Sequence, residues 1–133
     1  MSPRSAADRS AHDGGSAVVD FVLIGALTTV LFAAVVQLTL VLHVRATLVD
    51  CAAEGARYGA LADSTPAAGA QRTRDLIEMS LHPSFADDVT AVVVVRDGLE
   101  LVEVRVNAHL PLLGLIGPGG TLVVDGHALL ESG

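Results

Sequence analysis

The sequence predicts an α+β protein with a long N-terminal helix, a second helix and a small three-stranded antiparallel sheet. Three observations carry this prediction. An apolar run extends from Phe21 to about Val44 without any Asp, Glu, Lys or Arg. Apolar residues then recur at spacings of three and four as far as about His82. From Val89 onward the spacing changes to two, which is typical of β-strands.

The apolar run predicts a membrane-spanning helix. At about 1.5 Å of rise per residue, a helix of this length covers the roughly 30 Å of hydrocarbon in a bilayer. A cleaved secretory signal is disfavoured, because its apolar core is about 7–15 residues long and no Ala-x-Ala pattern follows the run directly. We therefore predict a retained transmembrane helix over residues 16–44. Residues 1–15 show no apolar period and are predicted to be disordered.

A glycine and a carboxylate stand where this run begins. Asp20 lies five residues after Gly15, and an ionisable group at the edge of a span invites a functional explanation with a named partner. If a peptidase cut after Gly15, the new amine of Ser16 would be positive and about one helical turn from Asp20. In a packed array, that amine could pair with Asp20 of a neighbouring copy.

The first helix is predicted to continue beyond the membrane. A stripe of apolar and small residues falls at helical spacing, without proline before Pro66: Val44, Leu48, Cys51, Gly55, Tyr58 and Ala62. Asp50, Glu54 and Arg57 occupy another face. This charged face is either solvated or, through Glu54 or Arg57, pairs with a neighbouring subunit.

A second helix is predicted from Pro66 to about His82. Ser64 or Thr65 supplies the N-cap, Pro66 takes the first helical position, and Pro83 ends the helix. Its inner face is predicted to contain Ala70, Thr73, Leu76, Ile77 and Leu81.

Strands follow the second helix. A β-branched run over residues 89–96 leads to Asp97-Gly98, a two-residue hairpin turn, and to a return strand over residues 99–110. The return strand alternates between an apolar and a polar face. The apolar set faces the helices: Val102, Val104, Val106 and Ala108. The polar set lies on the opposite face: Glu103, Arg105, Asn107 and His109. A third strand is predicted from Thr121 to about Leu130. The apolar loop of residues 110–120 either covers its own core or forms a contact surface.

Composition limits the function. Residues 45–133, which follow the predicted transmembrane helix, form a separate region, the head. It is small enough to be marginal in burying a core, and such domains often depend on partners. The chain of 133 residues carries a net charge of −7, has no Lys and has few aromatic residues, which disfavours nucleic-acid binding. After Val44 there are 12 acidic residues against six Arg, so the head is acidic and weakly attracted to anionic lipid.

Catalytic, cofactor and metal sites are not predicted. His109 and His127 share a polar sheet face, but two histidines without a third ligand make a poor metal site. Asp87-Asp88 fits a solvated turn, and no Ser or Thr shows a nucleophile signature. The chain is therefore predicted not to be an enzyme. Cys51 is the only cysteine and is predicted to be a small buried apolar residue, with an intermolecular disulfide or lipidation as alternatives.

The chain resembles a pilus protein family over nearly its whole length. The segment from Gly14 to Phe21, the apolar helix and the segment from Ala53 to Ala60 resemble the TadE family of tight-adherence pilus pseudopilins. Gly15, Asp20 and Phe21 stand where type IV-like prepilins have the last leader residue, an acidic residue and an aromatic residue. Asp20 replaces the usual Glu, and Ala53 stands where Arg is common. The likeness extends to a small strand-rich head that ends with an acidic residue, here Glu131.

The resemblance implies a pilin-like fold and specific residue roles. A prepilin peptidase would remove residues 1–15 as a leader by cutting between Gly15 and Ser16. Asp20 and Phe21 would serve assembly, and a set on the extramembrane helix would contact other subunits: Glu54, Arg57 and Tyr58. The implied location is the cytoplasmic (inner) membrane with residues 45–133 as an extracytoplasmic head. Charge does not decide this orientation, because equal numbers of Arg flank the span.

The implied function is that of a minor pilin or pseudopilin. Its partners would be the prepilin peptidase, other pilins, the pilus assembly platform and membrane lipid, with no cofactor and no nucleic acid. Major pilins of this system are nearly headless, so a head of this size favours a minor role. The alternative is a single-pass membrane-anchored envelope protein whose acidic head binds a partner outside any filament. Such an anchor would tolerate changes at Gly15 and Asp20.

Overall fold

The computed structural model describes residues 4–110 and 120–132, and for residues 4–13 only the backbone. It contains helix α1 (Arg4–Gly59), helix α2 (Pro66–Ser80), a 3-10 turn (Pro83–Ala86), and strands β1 (Val89–Arg96), β2 (Leu99–His109) and β3 (Thr121–Leu129). The strands form one antiparallel sheet in the order β1-β2-β3. The predicted α+β arrangement is confirmed. Most of the predicted apolar loop, residues 111–119, lies outside the described residues.

The chain divides into two compact units, Met1–Leu40 and Val41–Gly133. In the first unit the apolar side chains of α1 are exposed on every side, and Phe21 is 79% exposed. The hydroxyl groups of Thr29 and Thr39 donate to the carbonyl oxygens four residues earlier, at 2.8 and 2.9 Å. These bonds satisfy polar side chains within the helix, as a lipid environment requires. The helix fits a single-pass membrane anchor.

The prediction of disorder at the N-terminus is wrong over residues 4–15, because α1 already begins at Arg4. Helix formation is cooperative: nucleation is costly, whereas each residue added to an existing helix gains one hydrogen bond. The apolar segment supplies the nucleus. The residues before it include several Ala and no proline after Pro3, so the helix extends through them.

The core of the second unit lies between the helices and one face of the sheet. Thr65 caps α2 by accepting a hydrogen bond from the backbone N–H of Ala68 at 3.1 Å, and Pro66 takes the first helical position, as predicted. Helix α2 buries Ala70, Thr73 and Ile77. The predicted inward set of β2 is buried, together with small residues of α1: Val102, Val104, Val106 and Ala108, with Leu48, Cys51, Ala52, Ala56 and Ala60.

The hairpin between β1 and β2 is the predicted two-residue turn. Asp97 and Gly98 both have positive φ, at 52° and 78°. This combination gives a turn whose twist matches that of the strands. The turn sets the β1–β2 register, which pairs Arg96 with Leu99 and Val89 with Val106.

Candidate functional site

The predicted processing and assembly residues lie on one exposed stretch of α1. Gly15, Ser16, Asp20 and Phe21 are all exposed. A side-chain carbon placed on Gly15 would have no neighbour within 4 Å. Ser16 and Asp20 are four residues apart in a continuous helix, so they lie on the same face about one turn apart. Their roles in processing and assembly stay predictions.

The predicted contact residues of the second unit also face outward. Nη1 of Arg57 lies 3.8 Å from Oε2 of Glu54, and these side chains are 73% and 49% exposed. An exposed pair at this distance stabilises a helix by at most about 1 kcal/mol. Tyr58 is 45% exposed. The three side chains are therefore accessible to a partner, and their contact with other subunits stays a prediction.

Glycines beside these outward residues and one glycine of α2 bring α1 and α2 into backbone contact. A side-chain carbon on Gly69 of α2 would lie 2.6 Å from the carbonyl oxygen of Gly55, and one on Gly59 would lie 3.1 Å from the Cα of Gly69. The sequence interpretation placed Gly55 on the inner stripe but did not predict this crossing. The sequence feature that could have predicted this helix crossing is the four-residue spacing of Gly55 and Gly59, because two glycines on one face of a helix permit close helix packing.

A shallow depression lies between α1 and α2 beside Tyr58. Its volume is about 270 Å³, and it is lined by Tyr58, Ala68, Gln71, Arg72 and Asp75. The Gln71 side-chain amide donates to Oδ1 of Asp75 at 2.9 Å, which orders one wall. The segment from Ala53 to Ala60 thus has two roles by geometry: its small residues hold α2, and its charged and aromatic residues border an open surface.

The open face of the sheet holds a charged network that the sequence did not single out. Glu103 has a side chain only 7% exposed, and its carboxylate lies 3.2 Å from Nη2 of Arg96, 3.1 Å from Nη2 of Arg105 and 2.7 Å from Nε2 of His127. Arg105 also donates through Nε to Oδ1 of Asp125 at 2.7 Å. This bond, with the charges of Asp125 and Glu103, raises the pKa of Arg105.

The network explains how a carboxylate is buried on the open face of the sheet. Burying a carboxylate is costly unless polar partners surround it, and Glu103 has three, two of which are Arg side chains. The sequence placed Glu103 and His127 on polar faces, but their pairing depends on the β2–β3 register. That register could not be derived, because the connection between these strands is not a short turn.

Cys51 is buried at 6% exposure, as predicted. Burial raises the pKa of its thiol, and the negative charge of Asp50 adds to the effect. Among the residues that the structure describes, no group of three or more His, Cys, Asp and Glu could hold a metal ion.

The long unburied apolar helix, followed by a small α+β unit, fits the class of single-pass membrane-anchored proteins. Residues 15–57 match the model of a family described as TadE-like protein. The match begins at Gly15 and ends at Arg57, and it confirms the TadE-like resemblance over these residues. The family match and the long apolar N-terminal helix fit a pilus-related membrane protein. No curated protein and no solved structure matches the chain significantly.

Proposed function

We propose that the protein is a TadE-like minor pilin or pseudopilin that takes part in assembly of a tight-adherence, type IV-like pilus. It is made with its leader in the cytoplasm and cut after Gly15 by a prepilin peptidase. The observation that carries the proposal is the family match, which starts at Gly15 and includes the Asp20-Phe21 pair at the head of an apolar helix.

The geometry of α1 supports a recognition role for Gly15. No described atom would contact a side chain there, so packing within the chain does not require glycine at this position. The same holds for Gly25 farther along the helix. A peptidase that binds the backbone closely would distinguish the two positions, whereas folding would not.

The geometry also supports a role for Asp20 after cleavage. The amine of Ser16 would then be the first group of the helix, where a positive charge is not stabilised by the helix dipole. A carboxylate near that amine, in the same or a neighbouring subunit, offsets this cost. Because the amine exists only after cleavage, Asp20 acts in assembly, after processing.

The extramembrane contacts are assigned to the exposed face of α1 and α2. Glu54, Arg57 and Tyr58 are accessible, and Tyr58 lines the depression together with Gln71 and Asp75. We assign this surface to other pilins or to the assembly platform. The protein would remain in the cytoplasmic membrane, with its head outside, until it enters the assembly.

The test is a matched pair of glycine substitutions in the native host. Gly15→Leu is expected to leave the full-length form in membranes, whereas Gly25→Leu is expected to be processed normally. Asp20→Ala is expected to be processed but to assemble poorly into pili. Processing of Gly15→Leu at the wild-type level would contradict the proposal. Normal function of both Gly15→Leu and Asp20→Ala would favour the anchored envelope protein with a partner-binding head.

A further inference from the structure

Strand β1 is an edge strand, and from Ala91 onward its outward backbone groups have no partner in another described element. The backbone N–H of Asn107 donates to the carbonyl oxygen of Asp88 at 3.0 Å. Asp88 and Asn107 are therefore a hydrogen-bonded pair, and in an antiparallel ladder every second residue of β1 after Asp88 is hydrogen-bonded to β2 as well. Thr90, Val92 and Val94 therefore direct their N–H and C=O groups towards β2. Ala91, Val93 and Val95 direct theirs outward, and no backbone partner from another element is found for them within residues 4–110 and 120–132.

One end of this edge is closed by a side chain. Nη2 of Arg74, on α2, donates to the carbonyl oxygen of Val89 at 2.7 Å. The free stretch therefore extends from Ala91 to Val95. Val93 and Val95 are 45% and 67% exposed although they lie on the helix side of the sheet, so α2 does not cover this part of the edge.

The opposite edge of the sheet is protected, whereas β1 is not. In β3, the residues whose backbone N–H and C=O groups point away from β2 include Asp125. A charged side chain on an edge strand disfavours pairing with another strand. Strand β1 has no charged residue from Val89 to Val95. An unprotected, β-branched edge of this kind is a template for an added strand.

We propose that β1 pairs with β1 of a second copy of this chain, in an antiparallel arrangement centred on Val93. Each copy then places Ala91 opposite Val95 and Val93 opposite Val93, and the outward groups form about six backbone hydrogen bonds. The two sheets become one continuous sheet around a two-fold axis.

Charge favours a second copy in this antiparallel register. Arg96 of one copy lies opposite Thr90 of the other and diagonal to Asp88, on the same face of the sheet. The two Arg96 side chains lie at opposite ends of the pair. A parallel register would bring them side by side, which is unfavourable. The edge is thus complementary to itself, and the inference does not depend on the proposed function.

The first experiment measures the mass of the full-length protein in detergent by light scattering. The wild-type protein is expected to be a dimer. Val93→Lys places a charge on the edge. Val93→Pro removes a backbone N–H that does not bond to β2 but would donate to the second copy. Both variants are therefore expected to be monomers. Val123→Lys and Val123→Pro make the same changes on the outward side of β3 and are expected to remain dimers. Circular dichroism checks that each variant is folded.

A cross-linking experiment tests the register. In the proposed pair, Val92 of one copy lies opposite Val94 of the other in a non-hydrogen-bonded position, with Cα atoms about 4.5 Å apart, which suits a disulfide. In a Cys51→Ala background, a mixture of Val92→Cys and Val94→Cys chains is expected to form the mixed disulfide in preference to either self-disulfide.

Three results would overturn the inference. The first is a monomeric wild-type protein, and the second is a dimer that survives both Val93 substitutions, which would place the contact elsewhere, as between membrane helices. The third is cross-linking of Val92→Cys to a different protein in membranes without the mixed disulfide, which would assign the edge to a strand of another partner.

Discussion

Nε2 of His127 lies 2.7 Å from Oε2 of Glu103, a carboxylate whose side chain is 7% exposed on the face of the sheet that the helices do not cover. The contact joins β3 to the central strand β2, and Arg96 extends it to the end of β1. The network therefore ties all three strands through one acidic side chain. Because its partners are half-exposed, its effect on stability is moderate.

Glu103→Ala is expected to destabilise the head by about 1–3 kcal/mol, because Arg105 and His127 lose their common partner. The measurement is thermal unfolding of the full-length protein in detergent. Glu100→Ala is the control, since Glu100 is an exposed acidic residue of the same strand. Equal unfolding temperatures for the two variants would show that the network contributes nothing.

Gly126→Ala is expected to destabilise the head by about 1–3 kcal/mol or more through overpacking. A side-chain carbon at Gly126 would collide with backbone atoms of Ala52 and Ala53 in α1, and a backbone collision is not relieved by a rotamer change. Gly120→Ala, at a position with no neighbour within 4 Å, is the matched control. Chemical denaturation of both variants measures the difference, and a wild-type curve for Gly126→Ala would rule out the close approach of α1 to β3.

Gly98→Ala is expected to cost about 1 kcal/mol, because Gly98 has a φ of 78° that residues with a side chain adopt at a cost. Asp97→Asn is expected to change stability little, since Asn tolerates positive φ well. The comparison is made by thermal unfolding. A Gly98→Ala variant as stable as Asp97→Asn would exclude the two-residue turn with positive φ at both positions.

Cys51 is expected to react slowly with a thiol reagent in the native protein and rapidly after unfolding, because it is buried and its pKa is raised. A raised pKa means that the folded state holds the thiol proton more tightly than the unfolded state. The resulting stabilisation is complete at low pH and is lost as the pH rises through the native pKa, above about 9. Cys51→Ala should lack this alkaline decrease. Rapid native labelling would contradict the buried position.

The sequence predicted the fold well where local signals decide structure. The Thr65 cap, the Asp97-Gly98 turn and the alternation along β2 are set by neighbouring residues, and the structure confirms all three. The sequence-based prediction failed at the N-terminus. The extension of α1 back to Arg4 depends on cooperativity with the apolar segment and not on local composition.

The sequence could single out only residues that lie close together along the chain. Gly15 and Asp20 were singled out by their spacing, and their roles stay predictions. The Glu103 network and the Gly55–Gly69 crossing join residues that are distant in sequence. Their proximity follows from the β2–β3 register and from the packing of α1 on α2, which no local pattern specifies.

The most direct test of the proposed function is the N-terminal residue and intact mass of the protein recovered from membranes of hosts with and without the prepilin peptidase. The account predicts a chain that starts at Ser16 when the peptidase is present and a full-length chain when it is absent. A chain starting at Met1 in both hosts, or one cut near Ala62 in both, would contradict it.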